Sequence, residues 1–182
     1  MWADAASRGK AAAGGPDMFR TRREKEDEMA YPFMTSGAGP ETCRAADSVY
    51  PGIQTPADLY DALKGIWGPE TCAPRMRDRW TEENPTWGQC SVTAFLAQDI
   101  FGGEVFGIPL KDGSVHCFNR VGECVFDLTG EQFGAEKLNY EDCSPQKREN
   151  HFAKEEKRLR YELLKAKLEA ACRGRQEQAG DA

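Results

Sequence analysis

The run from Cys90 to Phe101, Cys-Ser-Val-Thr-Ala-Phe-Leu-Ala-Gln-Asp-Ile-Phe, constrains this chain more than any other stretch. Val92, Phe95, Leu96 and Ile100 recur at helical spacing, and Ala94, Ala97 and Phe101 carry the apolar surface round most of the circumference. A helix that is apolar on nearly every side belongs in the middle of a domain. Gly102-Gly103 closes it with a left-handed cap, and Gly88-Gln89 turns into it. Cys90 therefore stands in the first turn of a buried helix.

The flanking sequence supplies what would surround such a helix. Thr55 is a good N-cap and Pro56 suits the first helical position, so a helix carrying Leu59, Ala62, Leu63 and Ile66 is expected, stopped at Gly68-Pro69. Residues 69–88 read as a structured loop in which Trp80 and Trp87 wall a cleft or cap the core. Three β-like runs follow, Glu104–Leu110, Ser114–Arg120 and Glu123–Leu128, separated by Lys111-Asp112-Gly113 and by Val121-Gly122. An antiparallel meander packed on the helix, an α+β domain over 51–143, is the simplest arrangement. Ser144-Pro145 should open a charged helix over 144–172, with Phe152, Leu159, Leu163, Ala166 and Ala170 as its apolar stripe and Tyr161, Leu164 and Leu168 beside it. Residues 1–50, rich in Ala, Gly, Pro and mixed charge, read as a mobile or extended arm, and 173–182 as a disordered tail.

A cysteine becomes a nucleophile when its thiolate is stabilised, and the unpaired N–H groups of a helix N-terminus do this. The same groups can face a developing oxyanion. Cys90 needs a base, and His116 lies on one expected strand with Asp127 on the next. With Val121-Gly122 as a two-residue turn, Arg120 faces Glu123, Phe118 faces Val125 and His116 faces Asp127. The carboxylate then fixes the imidazole tautomer, as the third member of a triad does. Val121 is a poor residue for such a turn, because a primed turn wants positive φ.

The segments Asn84-Pro-Thr-Trp-Gly-Gln-Cys-Ser-Val-Thr-Ala, Gln98-Asp-Ile-Phe-Gly-Gly-Glu104, His116-Cys-Phe-Asn-Arg and Asp127-Leu-Thr together resemble the YunG family of uncharacterised bacterial proteins. Trp67-Gly-Pro-Glu-Thr-Cys72 and Arg160-Tyr-Glu-Leu-Leu164 fit the same pattern, so the resemblance spans roughly residues 57–170. It implies a papain-like or transglutaminase-like core with the chain order Cys, His, Asp, and no established substrate. Cys117 departs from the family, which has an aromatic residue there, and so does a shorter hairpin loop. Papain-like enzymes often carry a side-chain amide six residues before the nucleophile. Asn84 stands at that offset as a candidate oxyanion donor, and Gln89 is the other amide nearby.

The reading is thus a cysteine hydrolase or acyltransferase acting on an amide, thioester or ester of a peptide, protein or small acyl substrate, with no cofactor. A non-catalytic module that binds peptide or protein in the same cleft is the alternative. A zinc centre built from Cys72, Cys90, His116 or Cys117, and Cys124 is a weaker rival, since no CxxC pair exists. His151 reads as solvated, and Cys43, Cys143 and Cys172 carry no evident role. The net charge of -6 disfavours nucleic acid and anionic lipid. No run approaches the roughly 18 apolar residues of a membrane span, and no apolar leader is evident, so the cytoplasm is the expected location, with most of the seven cysteines free.

Overall fold

The computed structural model describes residues 33–36, 43–45 and 49–180. Strand β1 is Met34–Ser36 and helix α1 is Pro56–Lys64. Helix α2 is Cys90–Phe101, followed by strands β2 (Glu104–Pro109), β3 (Val115–Val121) and β4 (Cys124–Asp127). The two-residue strand β5 (Ser144–Pro145), the short helix α3 (Arg148–Phe152) and the long helix α4 (Glu155–Gly180) complete the order. Short 3-10 turns occupy Pro74–Arg79 and Gly130–Phe133. The protein is α+β, and its strands form one antiparallel sheet in the order β1-β4-β3-β2-β5.

Helix α2 is the hub. Val92, Phe95, Leu96 and Ala97 are fully buried, and the helix packs on β3 on one side and α4 on another. Its few polar positions are spent on internal bonds: Thr93 accepts from the Trp67 indole at 3.0 Å, and Asn119 of β3 donates to the Ala94 carbonyl at 2.8 Å. Arg148 closes the far end, donating to the Phe95 carbonyl at 2.9 Å and pairing with Asp99. Helix α1 starts as its sequence dictates, with a reciprocal capping box between Thr55 and Asp58.

Five expectations need correction. The hairpin turn is Gly122-Glu123 rather than Val121-Gly122: Val121 pairs with Cys124, Arg120 with Val125 and Asn119 with Phe126. Gly122 takes a φ of +56° at the first central position, where a type II′ turn wants glycine, and Val121 is relieved of that strain. Ser144-Pro145 does not open a helix but pairs with Phe106 and Gly107 as β5. The chain then turns through α3, and α4 runs to Gly180, through most of the segment expected to be disordered.

The buried face of α4 is Tyr161, Leu164, Leu168 and Cys172, while Leu159 is 51% and Leu163 39% exposed. The stripe first drawn through Leu159 and Leu163 is therefore the outer one. Lastly, part of the expected N-terminal arm belongs to the domain. Residues 34–36 pair with β4, Phe33 and Ala45 are buried, and Cys43 forms a disulfide with Cys124. Tyr50 is buried as well; these segments are too short for periodicity to reveal, and residues 1–32, 37–42 and 46–48 lie outside the described residues. Cys72, Cys90, Cys117, Cys143 and Cys172 are free thiols. Among the described residues no helix is long and apolar enough to cross a membrane.

Because burial on α4 is one-sided, the two leucine pairs should separate in unfolding experiments. Leu164→Ala or Leu168→Ala is expected to cost roughly 2–5 kcal/mol, and Leu159→Ala within about 0.5 kcal/mol. Urea titrations followed by circular dichroism measure this; equal losses at both faces would contradict the packing.

Candidate active site

The approach to α2 is set by sterics. Gly88 has a φ of +71°, and a Cβ there would lie 2.6 Å from the Cys72 sulfur, so only glycine can carry the chain past that thiol. Gln89 follows, wholly buried, and Cys90 begins the helix half-exposed. The first-turn N–H groups of an α-helix lack intrahelical partners, and Cys90 is the first residue of that turn.

His116 on β3 and Asp127 on β4 are each 1% exposed, and the imidazole Nε2 lies 2.6 Å from the Asp127 Oδ2. The direct opposition expected from the sequence does not occur. Continuing the observed register places Asp127 opposite Phe118, two residues along from His116. A shift of two keeps both side chains on one face, and the diagonal is within their reach. The carboxylate is fully satisfied: Tyr140 donates its hydroxyl to Oδ2 at 2.9 Å, and Thr129 donates its N–H and hydroxyl to Oδ1 at 3.1 and 3.3 Å. The Phe133 ring stands edge-on to the imidazole with centroids 4.8 Å apart.

With Nε2 committed to Asp127, Nδ1 is the nitrogen left to exchange a proton with Cys90. The thiol of Cys90 is held well below its ordinary pKa, first by the hydrogen bond from the Cys117 thiol and, against burial, by hydrogen bonding and charge from His116. Cys117 is pushed the other way, because it keeps its proton to donate to Cys90 and because it is buried. Burial opposes the charged form of His116, yet the bond to Asp127, that carboxylate's charge and the Cys90 sulfur raise it to about 10. The favoured state is a thiolate beside an imidazolium.

The two amides expected at the oxyanion position fare differently from that expectation. Gln89 spends its side-chain amide on the Gly68 carbonyl at 2.9 Å and is completely buried, so it is not offered to a ligand. Asn84 is half-buried, accepts from the Thr86 hydroxyl at 3.3 Å and does not line the cavity at Cys90. Neither Trp80 nor Trp87 lines it either: the Trp80 indole donates to the Pro85 carbonyl, and Arg79 stacks over Trp87.

Gln132, Tyr140, Thr129 and Cys117 were missed as site residues. Gln132 accepts from the Gly88 N–H at 3.4 Å, donates to the Thr129 carbonyl at 2.8 Å, and brings the same nitrogen 3.4 Å from His116 Nδ1. With Nδ1 protonated this last approach is a contact between two donors, so what Gln132 bonds together is the Gly88 N–H and the Thr129 carbonyl beside the ring. Only Cys117 had a usable signal, as the neighbour of His116 on the strand beneath α2.

A cavity of about 710 Å³ opens on Cys90, lined also by Gly88, Ser91, Met76, Val115 and His151. His151 is therefore not the solvated residue expected. It is half-buried edge-on to Phe95, and burial, followed by the charge of Lys157, pushes it down to about 4. Cys124 is withdrawn from any zinc set by its disulfide to Cys43. Among the described residues no group of three or more His, Cys, Asp or Glu is arranged to hold a metal.

The family described as YunG protein matches residues 55–173 of the chain. The Uncharacterized protein YunG of Bacillus subtilis (strain 168) is 45% identical over 74 residues, which cover 41% of this chain and 62% of that protein. The chain thus matches less than two thirds of that relative's length. No solved structure gives a significant match.

The pair has a defined pH signature. The raised His116 contributes stability that is full below its unfolded value of about 6.5 and lost as pH rises toward its folded value. The depressed Cys90 contributes stability present above about 8.5 and lost as pH falls. Together they give a plateau from about 6.5 to about 8.5, where one proton is held in both states, and a decline on either side. The measurement is the difference in unfolding free energy between native protein and a Cys90→Ser/His116→Gln double variant across pH. A monotonic slope through that window would contradict the ion pair.

Proposed function

This chain belongs to the YunG family, and we propose that it is a cysteine-nucleophile hydrolase or acyltransferase acting on an amide, thioester or ester. The observation that supports this reading is that Cys90, which lines a cavity, is coupled to a His116–Asp127 pair buried behind it. A helix that presents a thiol from its first turn to a histidine and a carboxylate on an antiparallel sheet is also the arrangement of a papain-like or transglutaminase-like core, which is the finer fold proposed.

In the proposed reaction the Cys90 thiolate attacks the acyl carbon, forming a C–S bond while the carbonyl oxygen takes the negative charge. The first-turn N–H groups at Cys90 receive that charge. As the oxyanion collapses, the bond to the leaving group breaks, and the His116 Nδ1–H gives its proton to that group. The acyl-enzyme is then attacked by water (hydrolysis) or by an amine (transfer). His116 takes the proton of that nucleophile, and the thiolate is released. Asp127 holds the ring in place through its bond to Nε2.

One observation favours the alternative, a non-catalytic peptide- or protein-binding module. His116 is 1% exposed and does not itself line the cavity, so a ligand there meets the sulfur but not the imidazole. Labelling with acyl-electrophile probes separates the two readings. The catalytic reading predicts a Cys90-dependent adduct at mildly acidic pH, absent in Cys90→Ala and slowed about 10²-fold or more in His116→Ala. A Cys90 that reacts equally well with or without His116 would favour the binding module.

A further inference from the structure

Four cations and two carboxylates line the cavity at Cys90. Arg75 is tied to Asp112 at 3.3 Å, and Arg160 to Glu156 at 3.0 Å. Lys154 and Lys157 have no carboxylate within ion-pair distance among the described residues. Four cations against two carboxylates and the Cys90 thiolate leave the lining with one positive charge in excess, in a chain whose net charge is -6.

Lys157 is the half-buried one of the two. Its amine lies 3.1 Å from His151 Nδ1, and His151 Nε2 lies 3.0 Å from the Gln146 Oε1. An ammonium can only donate, so Nδ1 accepts and the ring proton sits on Nε2, bonded to Gln146. A neutral imidazole thereby holds Lys157 in place beside the cavity without neutralising it. Half-burial disfavours an ammonium that has no carboxylate to pair with and lowers its pKa, and the charge of the cysteine sulfurs, Cys90 among them, only partly offsets this.

We propose that Lys157 anchors a carboxylate group of the acyl substrate, so that the compounds attacked by Cys90 are anionic acyl donors. This rests on the reading of Cys90 as the nucleophile. A carboxylate suits the site better than a phosphate, because both arginines that could fork a phosphate are already bound to side-chain carboxylates. His151 and Gln146 act as positioning residues for the amine.

The test compares alkylation of Cys90 by iodoacetate and by iodoacetamide in the full chain, read by mass spectrometry of the Cys90 peptide. In both reactions the thiolate displaces iodide, forming an S–C bond as the C–I bond breaks; the reagents differ in the charge of the group carried in. Lys157→Gln is expected to lower the iodoacetate-to-iodoacetamide rate ratio about five-fold, and Lys157→Arg to keep it near the native value. The ratio isolates recognition, since any change in thiolate character alters both rates alike. An unchanged ratio in a Lys157→Gln protein whose Cys90 still reacts rapidly would overturn the anchor and leave the nucleophile standing. A Cys90 no faster than a free thiol, in native protein and in His116→Ala alike, would overturn both.

Discussion

The carboxylate of Asp127 is the fixed point of this site. It is buried on a sheet, and the cost of desolvating it is met by hydrogen bonds from His116, Tyr140 and the N–H and hydroxyl of Thr129. Removing one partner of such a buried pair typically costs about 3–5 kcal/mol, so the arrangement is both structural and chemical. With Nε2 held, the ring can turn only Nδ1 toward the helix, and the helix begins with a sulfur. The packing of α2 on β3 brings the two elements together, and Gly88 lets the chain reach that point past Cys72.

What the sequence made legible was whatever composition dictates locally. The apolar run 90–101 and its flanking glycines gave the central helix its correct ends, and Thr55-Pro56-Ala57-Asp58 gave α1 its start. The hairpin shows how much latitude such reading has. Moving the turn by one residue changed every facing pair, but the register moved by two, so His116 and Asp127 remained on one face. Glycine at position 122, with positive φ, was the decisive local term, and Val121 had already signalled the tension.

The rest depended on contacts between distant segments. Leu159 and Leu163 look like core residues by type, yet the face turned inward is the one through Tyr161, Leu164, Leu168 and Cys172. Gln132 and Tyr140 come from irregular chain after β4, where no periodicity announces a direction. Cys43 pairs with a residue 81 positions away. His151 lies on a polar helix and still ends half-buried, because α3 folds back against Phe95 and the cavity. The basic wall facing Cys90 is likewise invisible in a chain that is acidic as a whole.

The central claim is that the sulfur of Cys90 rests as a thiolate paired with a protonated His116. Ultraviolet thiolate absorbance, recorded across pH as the difference between native protein and Cys90→Ser, tests it most directly. The account predicts a signal that persists at neutral and mildly acidic pH and that, in His116→Ala, appears only at more alkaline pH. A native signal that appears only near the ordinary cysteine value of about 8.5, and is unmoved by loss of His116, would contradict it.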